Sequence, residues 1–446
     1  LLGVWIIIDS VLTYIGPLLF FWGFSKIFIR GSLKFQELVT RAARFLGDLG
    51  TLATKNVRRN PARAASVAFL IALIIGYSFQ TIGAIASEQD YIVRQVKANV
   101  GADISAQLTS SDNASGIADA IEELPEVVSA TLEYSFSGTL PGQYYAVQIR
   151  AVDPDKWLLT AYYENEWFSG SDVATAFQQM KTSNQTIILE RNTAKNLDKN
   201  VGDDITLTIG SSTLQLAIVG FFGPEITQQP YYSISEYSGS VFWSYVPIGL
   251  NESLGGNVYP SVRVLAKLES SADGKSVASE ILNLDDDISY VRSVAEELET
   301  YQTNLMLIGS LNIQRVGVVF SILAAAVGTG LATLVSLQER KREASIMGAR
   351  GLSFKQLVTM FLAENLAVIV FSAFLGVVVG LIVVRGNVAA SNATLYYSLV
   401  THRIVFPPDA IILLSASILL VFASAIIPVI LLTKRYISRI ERIVRF

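Results

Sequence analysis

Glu339-Arg340-Lys341-Arg342-Glu343-Ala344-Ser345-Ile346-Met347-Gly348-Ala349-Arg350-Gly351 is the stretch whose reading decides the fold. It is short, basic and helix-forming, and it joins two long apolar runs, residues 305–337 and 357–384. A basic connection between two membrane spans stays in the cytoplasm by the positive-inside rule. Charges come first, then small and apolar residues, then glycine, which suggests a handle for a cytoplasmic partner. The chain is therefore expected to couple events across a membrane.

Outward from this loop, composition agrees. The 446 residues are 51% hydrophobic and 16% charged, against about 25% charged in soluble proteins. Crossing a bilayer takes roughly 20 apolar residues, and five runs qualify: 1–29, 64–87, 305–337, 357–384 and 410–433. The first carries Asp9 and Pro17, has no basic start, and is too long for a signal peptide. There is no cysteine, so an exported domain must be held by its core alone. The net charge of −4 points to no nucleic acid.

Basic residues fix the expected topology. Residues 30–63 form a basic linker containing Arg41, Arg44, Lys55, Arg58, Arg59 and Arg63, residues 338–356 form a basic loop, and the tail 434–446 is basic too. Residues 88–304 are acidic on balance, and residues 385–409 carry few charges. Alternation puts the large segment and the 385–409 loop outside and the C-terminus in the cytoplasm, in the cell membrane. The N-x-[ST] triplets at Asn113, Asn184, Asn251 and Asn392 all fall in the outside segments. They are candidate N-glycosylation sites, or chance matches.

The fold class expected is an α-helical membrane protein with five transmembrane helices and a large extracytoplasmic α+β domain. Alternation predicts strands at 103–108, 127–136 and 144–152, with a helix over 115–124. Further on, strands at 262–268 and 288–292 flank a helix at 275–284. Strand–helix–strand on either side of a long insertion outlines a split βαβ sandwich. The insertion, about residues 153–259, reads as β-rich, with its best strands at 186–189, 204–209, 214–222 and 241–247. Its aromatics, Tyr162, Tyr163, Trp167, Phe168, Tyr231, Tyr232, Trp243 and Tyr245, are expected to fill a core rather than form a binding surface.

Catalytic chemistry is sparse. The single histidine, His402, is expected to be a solvated loop residue. One His and no Cys exclude a nitrogen–sulfur zinc site. Asp285-Asp286-Asp287 lacks calcium-loop spacing. Gly274-Lys275-Ser276 lacks the earlier glycine of a phosphate loop, Glu269 standing in its place. No catalytic residue, metal ligand or cofactor is expected in this chain. In the fourth run, Glu364 reads as a polar anchor near the cytoplasmic surface, the alternative being a proton or substrate site. Gly376 and Gly380 are a small-xxx-small pair that lets helices approach closely.

This layout resembles the MacB/FtsX/Lol-type permease subunits of ABC transporters, the mechanotransmission or type VII systems. The resemblance is carried by 52–63, similar to the family's basic amphipathic lead-in helix, and by Gly101-Ala102-Asp103. Leu189-Glu190 and Val201-Gly202-Asp203-Asp204 continue it. Its strongest piece runs from Arg340-Lys341-Arg342-Glu343 through Phe361-Leu362-Ala363-Glu364-Asn365-Leu366 to Gly376 and Gly380. Gly348 and Arg350 depart from the family's pattern. The resemblance implies a non-catalytic subunit. A separate cytoplasmic ATPase would grip the coupling residues Glu339, Arg340, Arg342, Glu343, Ile346, Met347, Arg350 and Gly351. A second permease half would pair with this one, and an extracytoplasmic substrate or partner would receive the motion. The family has four spans, so residues 1–29 are expected to be the last span of a preceding, similar half. Two rivals are a surface receptor or adhesion protein with no ATPase, and a secondary transporter, for which Glu364 alone speaks.

Overall fold

The computed structural model describes residues 61–141, 146–224, 242–254, 260–339, 350–395 and 398–444, with a few positions between 15 and 26 and between 342 and 347. The expected span at 1–29 and most of the linker at 30–63 lie outside the described residues. The helices are α1 (Pro61–Val100), α2 (Ala114–Glu122), α3 (Pro154–Thr160), α4 (Val173–Thr182), α5 (Arg191–Asn196), α6 (Ile248–Ser253), α7 (Gly274–Leu282), α8 (Val294–Thr303), α9 (Leu305–Glu339), α10 (Phe354–Thr394) and α11 (Pro408–Val444). The strands are β1 (Ile104–Leu108), β2 (Val127–Thr139), β3 (Ala146–Val152), β4 (Phe168–Ser169), β5 (Thr186–Glu190), β6 (Asp204–Ile209), β7 (Ser212–Phe222), β8 (Trp243–Pro247), β9 (Ser261–Leu268) and β10 (Ile288–Ser293). The chain divides into a helical unit, Leu1–Gln89 with Gly309–Ser391 and His402–Phe446, and a second unit, Asp90–Ile308 with Asn392–Thr401.

Among the described residues, four helices are long and apolar enough to cross a membrane: Ala68–Val100, Asn312–Glu339, Val368–Thr394 and Pro408–Lys434. Each exceeds the roughly 20 residues a bilayer demands. The helices also outrun the apolar runs of the sequence. α1 continues unbroken past Ser87 to Val100, and α10 past Val384 to Thr394. In the helical unit all four contribute to one cluster, Ile71 and Ile75 with Ala325, Ile369, Ala373, Val421 and Ala425. α9 leaves Ile313, Phe320, Val327 and Leu331 exposed on its outer side. Apolar faces of this kind suit lipid.

The second unit is built on one ten-stranded sheet ordered β10-β1-β9-β2-β3-β8-β5-β7-β4, with β6 pairing β2 and β7. The two strand–helix–strand segments interleave at one end, so that β10-β1-β9-β2 are antiparallel throughout. α2 and α7 lie over these strands, packing Ile117, Ile121, Val277 and Ile281 on Ile104, Ala106 and Val264. The other end is mixed, with β3 parallel to β8 and β5 parallel to β7. The insertion holds more helix than its reading as short strands predicts, since α3, α4, α5 and α6 all lie in it.

The insertion's aromatics are core, as expected. Trp167, Phe168 and Tyr245 are buried, and Tyr162, Tyr163 and Trp243 pack against them half-buried. Tyr231 and Tyr232 lie outside the described residues. Trp157 joins this core, stacked on Phe177 at 5.0 Å between centroids. Val400 is fully buried in the same cluster, so the 392–401 part of the expected outer loop belongs to this unit.

A charge cluster lies beneath the aromatics. Glu133 is 1% exposed and pairs with Arg263 at 2.6 Å and Arg150 at 3.2 Å, while Trp157 Nε1 stands 3.4 Å from its other oxygen. Burial alone would raise the Glu133 carboxyl, but the Arg150 and Arg263 charges outweigh it and hold it below the ordinary glutamate range. The Arg150 guanidinium lies 3.4 Å from the centre of the Trp243 ring. Arg263 Nη1 also donates to the Val100 carbonyl (3.2 Å), satisfying one of the open carbonyls at the end of α1.

Candidate functional site

The loop between α9 and α10 is shaped by two local devices. Leu352 N–H donates to the Met347 carbonyl (3.2 Å), Arg350 N–H donates to the Ile346 carbonyl (3.0 Å), and Gly351 has φ +95°. The six-residue closure over a left-handed glycine is a Schellman-type helix stop. Two residues on, Ser353 Oγ accepts from Gln356 N–H (3.3 Å) and Gln356 Oε1 accepts from Ser353 N–H (2.8 Å). This reciprocal pair is a capping box that starts α10. Stop and start are thus written into Gly351, Ser353 and Gln356.

These devices orient the loop residues singled out in the sequence. Ile346 is 55% exposed. Met347 turns inward and packs with Leu352 against Leu337, Leu357, Met360, Phe361 and Val429. Neighbours on a helix point about 100° apart, so one side chain can pack inward while the next is exposed. Of the two residues expected to enter a partner's groove, Ile346 is the more exposed and Met347 is packed within the chain. Glu339, Arg342 and Arg350 are exposed. Arg340, Lys341, Glu343, Gly348 and Ala349 lie outside the described residues.

The other singled-out positions are scattered. Glu364 and Asn365 are helical in α10, with side chains outside the described set. Gly376 and Gly380 lie against α1. A Cβ on Gly376 would stand 2.8 Å from the Ala72 carbonyl oxygen, and one on Gly380 2.9 Å from that of Gly76. His402 is not solvated as expected. Its side chain is 10% exposed and its Nε2 lies 3.0 Å from Glu88 Oε2. The reason is local: Phe406 packs on Phe79 and Val405 N–H donates to Ser87 Oγ, which seats the loop against α1. Asp285 and Asp287 build a turn, Asp287 N–H donating to Asp285 Oδ1 (2.8 Å). Asp273 caps α7, accepting from Lys275 N–H and Ser276 Oγ. Asn113 and Asn184 are exposed, and Asn251 and Asn392 are half-buried in or beside helices.

A polar node in the second unit went unread in the sequence. Arg94 is 5% exposed in α1 and donates to both carboxylate oxygens of Glu164, from Nε at 2.6 Å and Nη2 at 2.5 Å. Its Nη1 donates to the Thr401 carbonyl (2.8 Å), and the Tyr162 hydroxyl donates to Glu164 Oε1 (2.6 Å). Burial, with this bond to Glu164, raises the Tyr162 phenol above its ordinary value.

Two family models match the chain in separate stretches. The MacB-like periplasmic core domain matches residues 64–284, and the FtsX-like permease C-terminal matches residues 315–437. No curated protein matches. Among solved structures, the periplasmic region of MacB from Actinobacillus actinomycetemcomitans is similar at 11% identity over 47% of this chain and 98% of its own, with a TM-score of 0.31. The extracellular domain of the noncanonic ABC-type transporter YknZ from Gram-positive bacteria is similar at 11% identity over 42% of this chain and 98% of its own, with a TM-score of 0.27. The assignment rests on the two family models and not on these likenesses. With a β-rich domain inside the first match and apolar helices inside the second, the chain belongs to the MacB/FtsX-type family of ABC transporter permeases.

Proposed function

We propose that this permease transmits ATP-driven motion to its extracytoplasmic unit and performs no chemistry itself. A cytoplasmic ABC ATPase docks on the loop from Glu339 to Ser353, and a second permease half completes the assembly. The C-terminal tail shares the cytoplasmic face with that loop. The observation that carries this reading is the geometry of Ile346: an exposed apolar residue on a helical turn, held by the Gly351 stop and the Ser353–Gln356 capping box, with exposed Arg342 and Arg350 near it in sequence. One apolar anchor with flanking charges fits helix-in-groove docking. The interleaved order β10-β1-β9-β2 supports a split βαβ reading of the outer unit. Exposed Asn113 and Asn184 are the best placed of the triplets to carry glycans.

The test is co-purification. Ile346→Asp should abolish recovery of the ATPase that accompanies the wild-type chain, because a charge would enter an apolar groove. Met347→Asp is the poorer variant, since Met347 packs inside the chain. An ATPase recovered at full strength with Ile346→Asp would remove the loop from the interface and favour a receptor without an engine.

A further inference from the structure

The second unit takes in a segment far away in sequence, Asn392–Thr401. Four chain crossings therefore join the two units, near residues 89, 308, 391 and 401. The first lies within the unbroken helix α1, the third in the last turn of α10, and the fourth in the loop between α10 and α11.

That loop is fastened, and the fastening converges on α1. Val400 is fully buried among the aromatics. Ser398 Oγ lies 3.4 Å from Gln95 Oε1 and donates to the Val400 carbonyl (2.7 Å). Thr401 accepts at its carbonyl from Arg94. The same guanidinium grips Glu164 with a bidentate fork and reaches Asp90 at 3.4 Å. One planar group thus spends its donors in three directions: its own helix, the 162–164 turn and the returning loop. A lysine ammonium could not reproduce the parallel pair of bonds and the third bond together.

We propose that Arg94 is a positioning residue that locks the 392–401 loop and the Tyr162–Glu164 turn to the end of α1, so that displacement arriving through α1 and through the α10–α11 loop moves the outer unit as one body. The inference rests on the transmission reading and adds to it a named joint. Without Arg94 the Thr401 carbonyl and the Glu164 carboxylate lose their shared donor, and the loop gains freedom that the sheet does not.

Hydrogen exchange on the full chain in nanodiscs, with its co-purified ATPase, tests this. Arg94→Lys should raise amide exchange in peptides spanning 392–401 by about tenfold or more, as expected when a hydrogen bond to a charged group is lost. Exchange in β1 and β9 should stay as in the wild type. The nucleotide-linked change in the 392–401 peptides should disappear while the ATPase still co-purifies, an effect that a merely structural contact would not produce. Linking Gln95→Cys to Ser398→Cys with a bismaleimide should restore it. If Arg94→Lys folds poorly, Glu164→Gln should show a smaller rise in the same peptides. Unchanged loop exchange in both variants overturns the joint, as does a nucleotide response identical to the wild type. A wild-type chain that shows no nucleotide response anywhere in residues 90–308 sinks the transmission reading instead, a result separable from loop loosening by Arg94→Lys without nucleotide.

Discussion

Gly376 lies against the backbone of Ala72, so close that a Cβ would stand 2.8 Å from the Ala72 carbonyl oxygen. One turn on, Gly380 meets the Gly76 carbonyl oxygen and the Phe79 Cβ in the same way. The spacing of small residues permits this approach of α10 to α1. The opposing atoms include backbone and cannot swing aside. Gly376→Ala should therefore destabilise the helical unit by about 1–3 kcal/mol through overpacking. Gly386→Ala, in the same helix with open space around it, should be neutral or stabilising. Thermal unfolding in detergent separates the two, and equal midpoints for both variants would contradict the close crossing.

Glu133 makes acid stability a second test. Its carboxyl is held below the ordinary glutamate range by Arg150 and Arg263. A folded value below the unfolded one means that its stabilisation is complete above the ordinary range. It is lost as pH falls through the lowered value. Glu133→Gln should cost about 3–5 kcal/mol near neutrality, because two guanidiniums lose their buried partner. The variant's stability should lack the acid-side decline that this group gives the wild type. A cost under about 1 kcal/mol would mean that water or another anion replaces the carboxylate.

Val400 tests the make-up of the outer unit. It is fully buried in the aromatic cluster although it lies beyond three of the apolar helices in sequence. Val400→Asp should lower the unit's stability by about 2 kcal/mol or more, since a charge without a partner would be buried. Ala174→Asp, exposed in the first turn of α4, should change it little. Tryptophan fluorescence reports the transition, because Trp157 and Trp167 are buried in the same cluster as Val400.

Sidedness can be read cleanly in a chain without cysteine. Leu159→Cys and Arg342→Cys each place one thiol at an exposed position. An impermeant maleimide should label Leu159→Cys on intact cells and Arg342→Cys only after permeabilisation. Labelling of both from one side would place the loop and the sheet on the same face.

The sequence was most legible where its periodicity was unmixed. Alternation at Asp204–Ile209 predicts β6 to the residue, and the helical spacing of Ile117 and Ile121 places α2. Reading the insertion as short strands passes over α3, although Asp153 before Pro154 is a helix-start signal and Asp153 does cap Asp155 and Lys156. Glu133, Arg150 and Arg263 look like solvent-facing positions, because periodicity assumes that charges point outward and only the fold shows that they meet. Arg94 and Thr401 are 307 residues apart, and no local pattern joins them. At the candidate site the charge-then-glycine pattern marked the loop, but that Gly351 stops a helix emerged only from its φ of +95° and the Leu352–Met347 bond. That Met347 packs inward while Ile346 is exposed follows only from knowing which face Leu337 and Leu357 occupy.

The central claim is that the α9–α10 loop drives the outer unit. An environment-sensitive dye on Leu159→Cys, in the full chain reconstituted with its co-purified ATPase, measures this on addition of ATP. The account predicts a nucleotide-dependent signal in the wild-type background that Ile346→Asp abolishes. A signal that survives Ile346→Asp undiminished, or one absent from the wild-type background, would contradict it.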